Sequence, residues 1–470
     1  MRNIPANKKK QWLLLITVLL GVVATAQQKY EITAKEAVDL ALKNMASVKN
    51  ARIDYQLQES KNKEITGQAY PQISGTVQMN RFFAIPVTVL PDFISPSVYG
   101  VLQQEDVRDG SGNPITPPNS YQTFPARFGV PWTASAGFTV QQLLFQPDVF
   151  VGLKARSTAM EYAANGLKVA EDTLKQTVYA SYYSVLIAEK ALGFVNDGLK
   201  RLEKLHKDQT ELFKNGFVER LDLDKTTVSI NNLKTTQSQL EYIYKLGQAG
   251  LKLAIGVKQP DTLVLKDVLS MDAVKKDVLD NSSFKYEDRS EIQLFNSIQK
   301  LQQLDVKRNK LSYIPTVAAF WNYSQNAQRN KFNFFNGNEK WFPTSIVGLS
   351  LNVNIFDGFQ RREKIRTATL NLEKTTNTID QFKEVIDFQQ TQTRMQMTHA
   401  ITNLNIQEKN MELAESVFNT VKKKYEQGLG SSFEILQAEG ELQQSQSSYF
   451  QAMYDAIVAR IAYQRAIGKL

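Results

Sequence analysis

The 470-residue sequence contains no cysteine and only two histidines. The missing thiol excludes a disulfide framework, thiolate metal sites, a cysteine nucleophile and a lipid-modified cysteine after a signal peptide. His206 and His399 lie far apart inside helical patterns, and the sequence offers no cluster of candidate nucleophiles, acid–base groups or metal ligands. We therefore expect no enzymatic activity, no cofactor and no metal site, and a stability that comes from packing alone.

Long apolar runs are scarce as well. A bundle of transmembrane helices would need many apolar runs of about 20 residues, and this sequence has a single apolar stretch, residues 12–24. Three lysines precede the stretch and the small residues Ala24-Thr25-Ala26 end it, which is the order typical of a secretory signal peptide. We expect residues 1–26 to be removed during export. A permanent membrane anchor is the alternative.

Charge of either sign is in little excess. The formal net charge of +9 falls to +5 when residues 1–26 are removed, because they hold four basic residues and no acidic residue. The sequence also shows no basic stripe with interleaved aromatic residues. We therefore expect no nucleic-acid partner.

Proline is absent from two long spans and concentrated in a shorter one. None occurs in residues 148–259 or after Pro343, whereas eight of the 14 prolines fall in residues 83–134. The proline-rich span predicts a long irregular loop. In the proline-free spans, apolar and small residues recur at steps of four and three, which predicts very long helices with a left-handed coiled-coil seam. A helix of about 65 residues would be about 100 Å long.

Two segments that lie 212 residues apart share one pattern. In residues 213–223 and 425–435 an aromatic residue is followed by Gly216 or Gly428 three positions later, and then by an apolar–acidic–apolar triplet. The same offset relates Gly256 to Gly468. The chain is therefore a tandem duplication. Each motif glycine predicts a sharp break between two long helices.

Four segments alternate between apolar and polar residues, as β-strands do. They are residues 73–80, 136–141, 316–323 and 347–355. Strands of about ten residues can cross a bilayer at a tilt, although a single membrane strand gives only a weak sequence signal. Two hairpins at matching points of a duplicated chain predict a membrane sheet. Half-buried strands of a small soluble sheet are the alternative.

The remaining segments complete a predicted organisation in four parts. Thr33, with Glu36 three residues later, predicts a capping box at the start of a helix that runs to about residue 66. Residues around Pro260 predict a connector that packs as a small belt outside the helices. The four parts, in order, are a signal peptide (1–26), a first repeat (27–257), a connector (258–288) and a second repeat (289–470). The first repeat contains a helix, a β-hairpin at 70–146 with the loop 83–134, and a long helix pair. The second repeat contains a helix, a β-hairpin at 313–356 and a second long helix pair.

Four strands cannot close a membrane barrel, for which about eight are the minimum. An open sheet edge in lipid would leave backbone amides and carbonyls unpaired, so several copies must share one barrel. With the duplication, the paired glycine motifs, the two hairpins and the opening helix pattern, the chain resembles the TolC-like outer-membrane efflux proteins. The resemblance implies a mixed α and β fold. It comprises a homotrimeric transmembrane β-barrel, to which each chain gives four strands, and a long periplasmic α-helical coiled-coil barrel.

The resemblance also implies a function and a location. Family members are passive outer-membrane export channels of tripartite efflux or type I secretion systems. They lie in outer-membrane lipid, extend their helices into the periplasm, and give drugs or secreted proteins an exit from a periplasmic adaptor (membrane fusion) protein and an inner-membrane pump. A secreted coiled-coil scaffold or adaptor without a pore is the alternative. It would share the long helices but should lack four lipid-length strands.

By the same resemblance, the glycine motifs lie at the periplasmic tip, where acids of the second copy narrow the pore. Glu434 takes the first acidic position of this constriction, and Gln437 stands where the second acid usually is. Asp222, the equivalent of Glu434 in the first copy, would lie at the outer wall of the tip. For both acids the alternative is a solvated carboxylate at a helix start, where the helix dipole favours it.

The other tip residues expected from the resemblance are Gly216, Arg220, Gly428 and Gly430. The family's basic residue after the second motif glycine, which ties the tip, is replaced here by Gly430 and Ser431. Arg220 is the nearest candidate to replace that tie.

Overall fold

A computed structural model describes residues 28–269 and 284–470. The predicted signal peptide and part of the predicted connector lie outside these residues. A strand unit comprises Lys61–Lys154 and Leu304–Thr367. A helical unit comprises Ala155–Gln303, Ala368–Leu470 and the described residues up to Ser60.

Helices and strands are numbered here in chain order. They are β1 (Lys29–Ile32), α1 (Ala34–Asn44), α2 (Ala46–Gly67), β2 (Gln72–Arg81), β3 (Val87–Pro91), α3 (Ile94–Gln104), β4 (Thr123–Arg127), β5 (Trp132–Phe145), α4 (Pro147–Lys214), α5 (Arg220–Ile255), β6 (Thr262–Leu265), α6 (Ser290–Leu311), β7 (Thr316–Arg329), β8 (Phe342–Asn352), α7 (Gln360–Glu426) and α8 (Ser432–Ala466).

The strand unit contains an antiparallel four-stranded sheet in the order β2-β5-β7-β8. The β2–β5 and β7–β8 pairs are the two predicted hairpins, and the β5–β7 pair joins them. The strands contain 10, 14, 14 and 11 residues, which is enough to cross a bilayer at a tilt. β8 ends at Asn352, so Val353 and Ile355, which the alternation placed in the fourth strand, lie beyond it.

The strand register gives the sheet two chemically different faces. Residues paired across neighbouring strands lie on the same face, and pairs alternate between faces along the ladder. One face is mainly apolar and aromatic: Ile73, Val77, Ala136, Phe138, Val140, Trp321, Tyr323, Val347, Leu349 and Leu351. The other is mainly polar: Ser74, Thr76, Gln78, Ser135, Thr139, Asn322, Ser324, Asn326 and Thr344.

The prediction of an irregular loop over residues 83–134 is wrong in three places. β3 and β4 form an antiparallel two-stranded ribbon, α3 lies between them in sequence, and β5 begins inside the predicted loop, at Trp132. Prolines did not prevent this order because each strand of the ribbon has an unpaired edge. Pro91 and Pro125 can lie in such strands without removing a hydrogen bond from the interior of a sheet.

The first predicted helix is divided in two. Thr33 forms the expected capping box, in which its hydroxyl accepts from Glu36 N at 3.3 Å and its own amide donates to Glu36 Oε2 at 2.8 Å. The helix then stops at Met45, whose backbone is extended, and α2 follows. At this break the Asn44 side chain donates to Ile255 O at 3.4 Å. The break thus coincides with a contact to the end of α5, which no local pattern reveals.

The described part of the predicted connector contains a strand that was not expected. β6 pairs in parallel with β1, and Leu263 of β6 belongs to the buried cluster formed with α1, α4 and α5. Tyr182 of α4 donates its hydroxyl to Ile32 O of β1 at 3.0 Å. This strand pair is therefore part of the core of the helical unit rather than a belt outside it.

The two repeats agree in length on both sides of their hairpins. α2 and α6 both have 22 residues and start 244 residues apart, as β2 and β7 do. The long helices α4 and α7 end 212 residues apart. The first repeat therefore has extra residues between β2 and β5, where β3, α3 and β4 lie. None of the described helices combines the length and the apolar character needed to cross a membrane.

Candidate functional site

The two motif glycines form the same backbone turn between long helices. Gly216 follows α4 with φ of 79°, and Gly428 follows α7 with φ of 73°. In the first turn Gly216 N donates to Phe213 O at 3.0 Å and Phe217 N to Leu212 O at 2.9 Å. In the second turn the equivalent hydrogen bonds measure 3.0 and 2.9 Å. This is the Schellman arrangement, in which a left-handed glycine ends the helix, and the predicted helix breaks are confirmed.

The paired glycines at the far ends of the repeats form this turn again. Gly256 and Gly468 have φ of 69° and 73°. Each is followed by a residue whose amide donates to the carbonyl five positions earlier, at 2.9 and 2.8 Å. The duplication therefore preserves both ends of the returning helix, α5 in one copy and α8 in the other.

The helix starts after the motif glycines differ between the copies. Ser431 caps α8 by accepting from Glu434 N at 3.2 Å, whereas Glu219 at the start of α5 makes no side-chain capping bond. Gly430 is needed for a close approach, since an added Cβ would lie 3.1 Å from Tyr425 N. Ser431 therefore takes a capping role at the position where the resemblance expects part of a basic tie.

A buried polar network joins the two turns. The Gln209 amide of α4 donates to Ser432 Oγ of α8 at 2.6 Å, and Thr226 Oγ1 of α5 donates to Gln209 Oε1 at 2.6 Å. Beside it, burial raises the pKa of the Tyr425 hydroxyl of α7, and the charge of Asp222 raises it further. Three helices, α4, α5 and α8, are thus joined here through hydrogen-bonded polar side chains. A buried polar contact of this kind favours one register, because slippage would leave its groups unpaired.

A buried ion pair lies further along the same helices. Arg201 of α4 donates two hydrogen bonds to Glu439 of α8, at 2.9 and 2.7 Å, and its guanidinium lies over the Phe418 ring. Gln443 donates to the same carboxylate at 3.2 Å. Glu439 is only 2% exposed. Such a pair tolerates burial only when its geometry and remaining hydrogen bonds are satisfied, as they are here.

The predicted pore residues occupy one exposed face of α8. Glu434 and Gln437 are exposed, and Gln437 donates to Glu441 Oε1 at 3.0 Å. The face continues with polar side chains at helical spacing, and all of the following are exposed or half-buried: Glu434, Gln437, Glu441, Gln444, Ser448, Gln451 and Asp455. The structure therefore places both predicted residues in a continuous polar stripe.

In the single described chain, the ion pair that Arg220 makes lies within the first repeat. Within the described chain its guanidinium lies 4.0 Å from Asp224 on its own helix, and both side chains are largely exposed. Near the turns the two repeats are linked instead by the Gln209 network and the Arg201–Glu439 pair, which the sequence reasoning missed. A usable signal existed for Glu439, since it is an acid at a seam position between buried Ala438 and Leu442.

Two other helices expose apolar stripes. The exposed apolar residues follow coiled-coil spacing on α5 (Leu221, Val228, Tyr242, Leu246 and Leu253) and on α7 (Val385, Phe388, Met395, Ile406 and Leu413). Among the residues that the structure describes, no group of three or more His, Cys, Asp or Glu side chains could hold a metal ion. The described surfaces of α5 and α7 are thus apolar where that of α8 is polar.

Comparisons with known proteins agree with this architecture. Residues 299–469 match the family model described as outer membrane efflux protein. No curated protein matches the chain in sequence.

Solved structures share the fold over nearly the whole chain. CusC, described as forming a transmembrane channel, superposes with a TM-score of 0.71 at 13% identity, covering 93% of this chain and 92% of its own. The CmeC outer membrane channel of Campylobacter jejuni gives 0.69 at 12% identity, covering 96% and 91%. The outer membrane protein VceC of Vibrio cholerae gives 0.66 at 11% identity, covering 93% and 96%. Residues 299–469 thus match the outer membrane efflux protein family model, and nearly the whole chain, with its duplicated helix turns and two strand hairpins, shares the fold of these solved structures.

Proposed function

We propose that the chain is one subunit of a homotrimeric, passive outer-membrane exit duct in a tripartite efflux or type I secretion system. It accepts drugs or secreted proteins from a periplasmic adaptor and an inner-membrane pump and carries out no reaction of its own, in keeping with a family of channels rather than enzymes. The observation that carries the proposal is the four-stranded sheet, which has one apolar exposed face and two open edges.

The apolar face of the sheet fits lipid. Ile73, Val77, Val347 and Leu349 are 72%, 82%, 78% and 73% exposed. The Phe138 and Trp321 rings meet edge to face on the same surface at 5.2 Å. The polar face instead links its side chains, as where the Asn326 amide donates to Ser324 Oγ and Thr344 Oγ1, both at 3.1 Å. Apolar residues outside and polar residues inside are the pattern of a membrane barrel with a wet interior.

The two open edges of the sheet require neighbouring subunits. β2 and β8 each have one neighbour in this sheet, and in lipid their unpaired backbone groups would cost several kcal/mol each. The strands alternate in direction across the sheet, so β8 of one copy meets β2 of the next as an antiparallel neighbour. Three copies joined in this way close a twelve-stranded barrel without an edge.

The helical stripes fit the same assembly. Apolar stripes on α5 and α7 need cover that the single chain does not provide, and neighbouring copies supply it in a closed ring. The polar stripe of α8 needs water, which the lumen of the duct supplies. In this proposal Glu434 and Gln437 line the constriction at the periplasmic tip and Glu441 extends the acidic lining. Gly216, Asp222, Arg220, Gly428 and Gly430 shape the turns.

The domain limits follow in the same proposal. Residues 1–26 serve as the export signal, residues 27–257 and 289–470 are the two repeats, and residues 258–288 connect them. The connector contributes β6 to the core of the helical unit.

Purified protein in lipid nanodiscs tests the proposal. Native mass measurement should give a trimer, and planar bilayers should show ion conductance from the same preparation. A stable monomer that conducts ions would contradict the shared barrel. A trimer that neither conducts nor fractionates with outer membranes would favour a scaffold without a pore.

A further inference from the structure

The β3–β4 ribbon and α3, which only the first repeat contains, form a platform at the end of the sheet where β2 ends and β5 begins. Asp92 holds the start of α3 by accepting from Ile94 N at 3.1 Å and Ser95 N at 2.9 Å. The Phe93 and Phe124 rings lie 6.2 Å apart, which places the start of α3 against β4. The helix is therefore fixed by contacts on its inner side.

The opposite side of α3 is apolar and uncovered. Ile94, Val98 and Val101 lie at i, i+4 and i+7, and they are 56%, 49% and 59% exposed. Half-buried Tyr99 and Leu102 occupy the inner side. The helix contains no charged residue. An uncharged helix with an apolar stripe on each side needs a second apolar neighbour.

The turn between β7 and β8 presents an aromatic side chain at the same end of the sheet. Phe335 is 86% exposed, while the neighbouring Phe334 is buried against Ala134, Ala327 and Trp341. The Arg329 guanidinium donates to Lys340 O at 2.7 Å across the turn. Phe335 thus lies on a turn that is anchored by its buried neighbour and by this hydrogen bond, with its own ring uncovered.

The strand order places two β7–β8 turns beside each platform, the chain's own turn next to β5 and that of a neighbouring subunit next to β2. In the single chain the α3 stripe and Phe335 both stay exposed, so the turn of the neighbour is the one left for α3 to meet. Arg81 at the end of β2 pairs with Trp132, which pairs with Arg329 at the end of β7. The α3 platform and the β7–β8 turn therefore rise from the same end of the sheet, but β2 and β8 are its two opposite edges. Across a closed β8–β2 seam, neighbouring strands are about 4.8 Å apart. This seam brings the platform of one subunit beside the β7–β8 turn of the neighbouring subunit.

We propose that the exposed stripe of α3 packs on Phe335 of the neighbouring subunit. This contact, called the latch below, holds adjacent subunits together outside the barrel. The inference rests on the proposed trimer but is not required by it, since strand pairing alone closes the barrel. One latch would form at each of the three seams. A lipid surface is the other possible occupant, but helices that lie on membranes usually carry lysine or arginine on their polar face, and α3 has neither.

The natural absence of cysteine makes a direct test possible. Two differently tagged chains, one carrying Val98→Cys and the other Phe335→Cys, are co-expressed and oxidised in intact membranes. We expect a disulfide-linked dimer that carries both tags, which can form only between chains. The matched control is Gln103→Cys with Phe335→Cys, because Gln103 is exposed on the same helix but lies outside the stripe formed by Ile94, Val98 and Val101. This pair should give no such dimer.

Native mass measurement on the same samples separates the possible failures. Trimers without the Val98–Phe335 cross-link, or with equal cross-linking from Gln103→Cys, would overturn the latch and leave the proposed function intact. Absence of trimers would overturn the proposed function itself. A fluorophore on Val98→Cys that is quenched by brominated lipid in the trimer would assign the stripe to the membrane and also overturn the latch. As a second readout, Val98→Ser should lower the temperature at which detergent-solubilised trimers dissociate.

Discussion

The helices α5 and α8 occupy equivalent places in the two repeats, but α5 exposes an apolar surface and α8 a polar one. Both begin after a left-handed glycine and both end at another, with matching hydrogen bonds. α5 exposes an apolar stripe that includes Tyr242 and Leu246. α8 exposes the polar stripe that begins at Glu434 and Gln437.

This difference shows which features a duplication retains and which can diverge. The turn depends on backbone conformation, which glycine supplies in both copies. The exposed surface depends on what covers the helix, and this can differ between two copies of one fold. In the proposed trimer α5 meets a neighbouring subunit, whereas α8 meets the water of the duct. Substitutions on these two helices test that assignment, and substitutions at the ion pair and the turns test the contacts that hold the two repeats together.

The largest effect is expected from a charge placed in the apolar stripe of α5. In Leu246→Glu the trimer would bury an unpaired carboxylate at each interface, at a cost of about 3–5 kcal/mol. Native mass measurement should show loss of trimers. The matched change on α8 is Gln444→Glu, which places the same charge in the polar stripe and should leave trimers intact. Equal loss from both would refute the assigned difference between the helices.

A comparable loss of stability is expected from breaking the buried ion pair. Arg201→Met leaves Glu439 buried without its partner, which typically costs about 3–5 kcal/mol. The thermal unfolding temperature should fall clearly, and the double variant Arg201→Met with Glu439→Leu should recover much of the loss. Arg220→Met is the control, since its exposed pair with Asp224 contributes about 0–1 kcal/mol. If both arginine variants behave alike, the pair does not hold α4 to α8.

The two motif glycines should be equally sensitive to a side chain. No atom lies within 4 Å of an added Cβ at Gly216 or Gly428, so alanine meets only the backbone cost of a left-handed conformation, about 1–2 kcal/mol. Chemical denaturation should show similar losses for the two variants. Gly440→Ala, in the interior of α8, should instead stabilise by up to about 1 kcal/mol. Clearly unequal losses at Gly216 and Gly428 would show that tertiary contacts, and not the turn alone, decide their sensitivity.

The smallest effect on stability, with a large effect on conduction, is expected at the tip of α8. If Glu434 from three chains faces one constriction, the pore attracts cations, and a trivalent cation added on the periplasmic side blocks it by bridging the carboxylates. Glu434→Gln should remove most of this block and change stability by about 0.3–1 kcal/mol. Asp222→Asn should leave the block nearly unchanged. Equal block in wild type and Glu434→Gln, measured in planar bilayers, would remove Glu434 from the pore.

Sequence patterns predicted the features that depend on neighbouring residues in the chain. Alternation located the four strands of the sheet, although β5 and β7 extend further than the pattern showed. The glycine motifs located the helix turns, because a left-handed residue is a local requirement. Absence of proline marked α4 and α7, which run for 68 and 67 residues.

Contacts between residues far apart in the chain account for the features that the sequence patterns did not predict. The break at Met45 coincides with packing against the end of α5, and β6 is a strand because β1 lies beside it. The Gln209 network and the Arg201–Glu439 pair join helices whose residues are more than 200 positions apart. A polar residue in a seam gives no sign of its partner until the helices are packed.

The sequence by itself thus determined the duplication, the strands, the long helices and the glycine turns, because periodicity and backbone conformation are encoded over a few successive residues. Tertiary structure alone decided the pairing of β1 with β6, the pairing of Glu439 with Arg201, and the exposure of apolar stripes on α5 and α7 beside a polar stripe on α8. These features depend on which distant surfaces meet. The free energy of burying a side chain is set by the neighbours it meets in space and not by its neighbours in the chain.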